Sequence, residues 1–327
     1  MKIVILTFWF TNELVYSCFA DVVNYQPKKW YSILNSPNQT VTKRGSRMNS
    51  VGDIMVKNVV TVKPEETLLQ VQKVMLKHII SRLVVSKDRK PIGIVTQKDI
   101  VRFLLSDASK RGIDEIPVKE VMSKTLVTVQ PSVSVSKIAQ TMLKKKISSL
   151  IVVDQSGVLA GIVTKVDICS YYATKYVGKY KVSKFMTKKP ITIKPSQSIF
   201  LAASLMSEHN ITRVIVVDDG KPVGILALSD LTMISPILKP VKLMMERKPV
   251  FVKGLIMPSN YISLLTARDV MTADPISVHE NVDLAEAARL MTKHRFSGLP
   301  VVNDEGKLVG IITKSDVTRA VASIEPT

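Results

Sequence analysis

Four times along the chain the same succession recurs: a short alternating stretch, an amphipathic stretch, then two apolar runs. The alternating stretches are Val60-Thr61-Val62, Val127-Thr128-Val129, Ile191-Thr192-Ile193 and Ile276-Ser277-Val278. Period-two alternation of β-branched residues predicts strands. Apolar residues then follow at helical spacing, with Leu68/Met75, Val135/Met142, Ile199/Met206 and Leu284/Met291 on one face of each helix. Thr67, Ser134, Ser198 and Asp283 are N-cap types at the helix starts, and Thr67-Leu-Leu-Gln70 and Asp283-Leu-Ala-Glu286 read as capping boxes. The methionine stripe belongs in the core, because a flexible thioether fills gaps between packed elements.

The runs Leu83–Val85, Leu150–Val153, Val214–Val217 and Leu299–Val302 predict buried strands. Each leads into a second strand ending in a shared string: GIVTQKD at Gly93–Asp99, GIVTKVD at Gly161–Asp167, GILALSD at Gly224–Asp230 and GIITKSD at Gly310–Asp316. Openings of one kind precede the units, at Asp53-Ile54-Met55, Glu120-Val121-Met122, Lys184-Phe185-Met186 and Asp269-Val270-Met271. The chain therefore divides into four β-α-β-β-α repeats, 51–104, 118–173, 182–235 and 267–321. Each is too small to bury its own sheet, so repeats must pair.

Two segments fall outside the repeats. The linker 236–266 is long, basic and rich in proline, and is expected to be partly helical or to cover a site. Residues 1–47 hold eight of the chain's 18 Phe, Trp and Tyr residues. Three readings stay open for them: a tail or misassigned start ahead of Met48, an ordered docking segment, or a targeting peptide.

Charge adds one outlier, a formal net charge of +19. Residues 118–181 carry 10 Lys and Arg against 3 Asp and Glu, whereas 267–327 carry 7 against 9. Anionic partners such as nucleotide phosphates, nucleic acid or a membrane surface fit that balance, as does a solvated basic face. No apolar run reaches the length of a transmembrane span. Two cysteines, Cys18 and Cys169, make no metal or redox pattern and point to a reducing, cytoplasmic setting.

Thr-x-x-Asp at a strand-to-helix junction is itself a capping box, which needs no ligand. The same geometry also suits phosphate, attracted by free helix-start N–H groups, and ribose, whose hydroxyls a carboxylate accepts. Ser81-Arg82 and Thr212-Arg213 stand before the apolar strands of repeats one and three. Ser148-Ser149 and Ser297-Gly298 occupy those places in repeats two and four. Ala227 replaces the threonine in the third motif, so that copy is expected to be altered or empty.

On these residues the chain resembles four tandem CBS domains, the repeats named after cystathionine β-synthase. That resemblance implies an α+β fold in which repeats pair with pseudo-two-fold symmetry into two Bateman modules. The four-repeat layout is similar to the γ subunit of AMP-activated protein kinase. It further implies that AMP, ADP, ATP or another adenosine derivative binds as a regulatory ligand, with no cofactor required. Residue by residue, Asp99, Asp167, Asp230 and Asp316 would take ribose hydroxyls. Thr96, Thr164 and Thr313, with Gly93, Gly161 and Gly310 of the same strings, would border phosphate or ribose. Arg82 and Arg213, beside Ser81, Ser149 and Ser297, would meet phosphate. Thr61, Thr128, Thr192 and Ser277 would line the base pocket.

The expected role is a nucleotide sensor, not an enzyme, signalling through a protein partner or a homodimer. No nucleophile–base pair or histidine-based metal cluster is legible. Nucleic-acid binding is the alternative, motivated by Lys144-Lys145-Lys146 and the basic linker, although aromatic residues are sparse within the repeats.

Overall fold

A computed structural model of the chain describes residues 49–106, 111–228, 230, 250–252, 255–257 and 265–324. In the first repeat Thr61–Val62 runs parallel to Arg82–Lys87, which folds back antiparallel as Lys90–Thr96. Helix α1 (Leu68–His78) supplies the crossover that a parallel pair requires, and α2 (Gln97–Ser106) leaves the last strand. The second repeat has strands Thr128–Val129, Ser149–Val153 and Leu159–Thr164, with α3 (Val135–Lys144) and α4 (Lys165–Lys175). Strands Thr192–Ile193, Arg213–Asp218 and Lys221–Ala227, with α5 (Ile199–Glu208), form the third. The fourth has Val278–His279, Gly298–Val302 and Leu308–Thr313, with α6 (Leu284–Lys293) and α7 (Lys314–Ala322). The fold is α+β, as the repeats imply.

Caps set where the first helix of each unit starts. Thr67 and Gln70 complete a box, the Gln70 side chain accepting the Thr67 N–H at 2.8 Å. Asp283 does not form the expected box with Glu286. Its Oδ1 accepts the Ala285 N–H at 3.0 Å, and its Oδ2 accepts the Gly178 N–H from the inter-repeat link at 2.6 Å. Past the ends of these helices, Ile79, Lys146, Asn210 and Arg295 all adopt left-handed backbone with φ between 51° and 57°. None is glycine, so each repeat carries about 1 kcal/mol of local strain at one equivalent turn.

Each unit opens with a helical turn that the alternation does not predict: Val51–Ile54, Val118–Glu120, Val182–Phe185 and Ala267–Val270. These openings cross over. Val56 bridges to Ile162 of repeat two, and Ser123 bridges back to Ile94 of repeat one. Likewise Thr187–Lys188 joins the sheet of repeat four at Gly310–Ile311, and Thr272–Ala273 joins that of repeat three at Gly224–Ile225. Repeats one and two therefore form one module by exchange, and repeats three and four the other.

The methionine stripe is buried as expected, with Met75, Met142, Met206 and Met291 in the helix-facing cores. A continuous apolar cluster joins repeats two and four, where α4 and α7 pack against α3 and α6. Ala285, Ala288 and Ala320 are fully buried there, their small side chains letting the helices approach. Ser136 Oγ donates to the Ile324 carbonyl at 3.0 Å across the same interface. The described part of the linker is a β-hairpin, Val250–Val252 with Leu255–Met257, and no helix. Residues 1–47 lie outside the described residues.

Candidate functional site

Each of the four motifs closes the last strand of its repeat, and three are complete capping boxes. Asp99 Oδ2 accepts the Thr96 N–H at 3.0 Å and the Thr96 hydroxyl at 2.6 Å. Asp167 does the same with Thr164 at 2.7 and 2.7 Å, and Asp316 with Thr313 at 2.7 and 2.7 Å. In the third motif Asp230 Oδ2 accepts the Ala227 N–H at 2.8 Å, with no hydroxyl at residue 227 to add a second bond. Capping is therefore real at every copy, and it consumes one carboxylate oxygen.

A carboxylate offers about four acceptor positions. The box takes two on Oδ2, which leaves Oδ1 for a diol. What faces Oδ1 differs among the copies. Asp167 makes no ion pair among the described residues. Asp99 Oδ1 lies 3.6 Å from the exposed Arg102. Asp316 Oδ1 is held at 2.6 Å by Arg319.

Arg82 does not stay within its own repeat. Its Nη1 donates to Ser148 Oγ of the partner repeat at 2.9 Å. Arg213 repeats the arrangement in the other module, donating to the Ser297 carbonyl at 2.7 Å and to Ser297 Oγ at 2.6 Å. A Cβ added at Gly298 would lie 2.8 Å from the Arg213 guanidinium. Arginine in odd repeats and small residues in even ones are thus two sides of one contact. Ser148, rather than Ser149, is the serine that meets Arg82. Ser149 starts its strand opposite Thr164, and Ser297 is already engaged.

Two cations join these arginines. Lys165 Nζ donates to Ser315 Oγ of the opposite module at 2.9 Å. Burial lowers the Lys165 pKa against the pull of Asp316, and Arg82 lowers it further. Burial likewise lowers Lys314, where Arg213 and Arg82 add repulsion and Cys169 and Asp167 oppose it. Burial pushes Arg213 down to about 10 and lowers Arg82, with Asp167 and Asp99 opposing at Arg82. Asp167 and Asp316 are pushed up by burial against their threonine bonds. Arg82, Lys165, Arg213 and Lys314 therefore share one partly desolvated region between the modules. The two lysines had a sequence signal: the residue after the motif threonine is basic in the repeats that lack the pre-strand arginine.

The remaining candidates fall into three groups. Thr61, Thr128 and Thr192 are exposed on edge strands, in register with Val84, Ile151 and Ile215. Those three apolar residues are buried, yet by pleat alternation they face away from the helix-side core. Ser277 is half-buried and donates to the Pro275 carbonyl at 3.3 Å, and Ser81 is exposed with its carbonyl taken by the Gln97 N–H. Gly93, Gly161 and Gly310 are covered by methionine. A Cβ at these positions would lie 2.3, 2.6 and 2.8 Å from Sδ of Met122, Met55 and Met186 respectively. Their glycine identity serves the exchanged openings rather than a ligand.

Basic and aromatic residues do meet at 171–185, where Lys184 Nζ stands 4.1 Å from the Tyr180 ring centroid and Lys179 stands 5.2 Å from that of Tyr176. Lysines cover these ring faces, which removes them as open platforms for nucleobases. Cys169 is buried with its thiol pushed up to about 12, so it is unreactive. No helix among the described residues is long and apolar enough to cross a membrane.

The family profile of the CBS domain matches residues 51–106, 118–174, 182–236 and 267–323. Protein MJ1404 of Methanocaldococcus jannaschii is 29% identical over 280 residues, covering 84% of this chain and 62% of that protein, so this chain spans less than two thirds of that relative. Protein MJ1225 of the same organism is 25% identical over 279 residues, 80% of this chain and 95% of that protein. The crystal structure of MJ1225, proposed as an archaeal homologue of γ-AMPK, matches with a TM-score of 0.66 at 22% identity, over 83% of this chain and 99% of that one. CBSX2 of Arabidopsis thaliana is 32% identical over 158 residues, 45% of this chain and 66% of that protein. It has been crystallised with AMP, in a structure 33% identical that covers 43% of this chain and 95% of that one at a TM-score of 0.34.

Proposed function

The chain belongs to the CBS-domain family, and on that premise we propose that it is a regulatory module binding adenosine-containing ligands in clefts between paired repeats. One observation carries the reading. Behind a complete cap, Asp167 Oδ1 has no ion pair or side-chain hydrogen bond among the described residues, while Arg82 from the partner repeat and Lys314 from the opposite module lie within its electrostatic reach. A ribose diol on Asp167 Oδ1 would direct a 5′-phosphate toward those cations, where charge-assisted bonds replace their mutual repulsion. The exposed Thr61 and Thr128, in register with the buried Val84 and Ile151, are the candidates for contact with the base.

No step of catalysis is assigned. The signal would pass through the cation cluster, since Lys165 and Lys314 belong to different modules and each lies near the motif carboxylate of the other. A phosphate bound there changes how the modules hold together, which a protein partner or a change of assembly can sense. AMP is the first probe, because the sequence relative CBSX2 has been crystallised with it. Isothermal titration of the full chain with adenosine, AMP, ADP and ATP tests the proposal. Saturable heat that grows from adenosine to AMP supports it, and no binding at millimolar nucleotide refutes it.

A further inference from the structure

Resting on the reading that motif carboxylates take the ribose diol, we propose that Arg319 is a latch that closes the cleft of the fourth repeat. Its guanidinium donates to Asp316 Oδ1 and to the Phe185 carbonyl, both at 2.6 Å. The capping box already fills Oδ2 of Asp316. Arg319 takes one of the two acceptor positions left on Oδ1, so only one remains where a vicinal diol needs two.

Repeats one and two lack this arrangement. Arg102, at the equivalent place in repeat one, lies 3.6 Å from Asp99 with its side chain 67% exposed, a loose surface pair. Repeat two has Ser170 there. Asp316 is also the one buried motif aspartate among the described residues, its side chain 5% exposed, whereas Arg319 is 51% exposed. A buried acceptor with its cation at the mouth is the geometry of a stopper, because the guanidinium can move into water while the carboxylate cannot.

The second bond of Arg319 extends the effect. Phe185 ends the opening turn of repeat three, next to Met186, whose sulfur covers Gly310 of repeat four. A diol that takes Asp316 must release Arg319 and with it the end of this exchanged opening. The fourth cleft therefore selects ligands able to displace a cation, and its filling loosens residues 182–186.

Native mass spectrometry of the full chain tests this with AMP and 2′-deoxy-AMP as probes. Arg319→Gln and Arg319→Ala are each expected to bind one AMP more than wild type at saturation. The gain should be absent with 2′-deoxy-AMP and in the Arg319→Gln/Asp316→Asn double variant. Should the neutral variants not fold, Arg319→Lys keeps the charge without the two-pronged reach, and the same gain is expected at higher AMP. Unchanged AMP counts in the 319 variants, with wild type binding AMP normally, would overturn the latch alone. An equal gain with 2′-deoxy-AMP would also overturn it, since that marks a cleft merely loosened. Absence of AMP binding in wild type and variants alike would remove the adenosine reading and the latch together.

Discussion

Arg82 Nη1 reaches across its module to Ser148 Oγ at 2.9 Å, so the cation of the first repeat is positioned by the second. Its nearest carboxylate influences are Asp167 and Asp99, one from each repeat of the pair. A single guanidinium thus lies within the field of both motif carboxylates of that module. In the other module Arg213 leans on Ser297 and feels Asp316 of the partner repeat. The pairing of repeats, and not the content of one repeat, decides which charges meet which motif.

Replacing Arg82 should separate phosphate from nucleoside recognition. A charge-assisted hydrogen bond contributes about 1.5–3 kcal/mol, so Arg82→Gln is expected to weaken AMP by roughly tenfold or more. Adenosine, with no phosphate to lose, should stay within about twofold. Parallel titrations of the variant with both compounds check this, and equal losses for the two would show that Arg82 shapes the cleft without meeting phosphate.

Asp167→Ala removes both a ligand acceptor and a helix cap. Losing the cap should cost about 0.5–2 kcal/mol of stability, and losing the acceptor should weaken adenosine as well as AMP. Thr164→Val separates the two effects, because it lowers stability through the cap while leaving the Asp167 carboxylate in place. Denaturant unfolding and titration of both variants give the comparison. Full affinity in folded Asp167→Ala would confine this aspartate to capping.

The four-unit fold was legible because period-two strands, capped helices and the Gly-Ile-x-Thr-x-x-Asp string recur in register. The exchange of openings was not, since nothing in Asp53-Ile54-Met55 states whose glycine the methionine covers. Gly161 looked like a ligand-approach glycine for the same reason, and the Met55 sulfur occupies its face. Arg82 was visible as a cation, but its reach to Ser148 depends on repeat pairing, which is a long-range fact. Lys165 and Lys314 each follow the motif threonine by one residue, a place that the motif alone does not mark as a contact. The packing of repeats two and four is what brings them to the candidate site. The Asp283–Glu286 box failed because the Gly178 N–H competes for the carboxylate.

The methionine–glycine contacts predict a measurable coupling. A Cβ on Gly93 would lie 2.3 Å from Met122 Sδ and 2.9 Å from its Cγ, so Gly93→Ala forces the side chain of the exchanged opening to move. Overpacking of this kind costs about 1–3 kcal/mol. Met122→Ala alone should also destabilise, through loss of buried contacts. In the double variant the clash is absent, and a coupling of about 1 kcal/mol or more is expected for residues in direct contact. Urea unfolding of the four proteins completes the cycle, and additive losses would mean that the opening does not pack on Gly93 in solution.

The cation cluster should make the ligand-free protein more stable as pH rises toward 10. Burial holds Lys165 and Lys314 below the ordinary lysine range and brings Arg213 down to about 10. Lys165 faces Asp316 and Arg82, and Lys314 faces Cys169, Arg213, Arg82 and Asp167, so neither lysine has a carboxylate to itself. A base whose folded pKa lies below its unfolded value binds more protons when unfolded. Stability from that group therefore increases as pH climbs through the folded pKa, and it is lowest where the group is charged in both states. Lys165→Gln/Lys314→Gln removes this dependence at the two lysines. The stability of wild type relative to that variant is thus expected to rise between pH 7.5 and 10, whatever its sign at pH 7.5. Urea midpoints at both pH values measure it, and comparing differences cancels titrations elsewhere in the chain. Adding AMP at pH 7.5 should shift wild type in the same direction, because phosphate relieves the same repulsion. A pH-independent difference between the two proteins would mean that water already screens these charges.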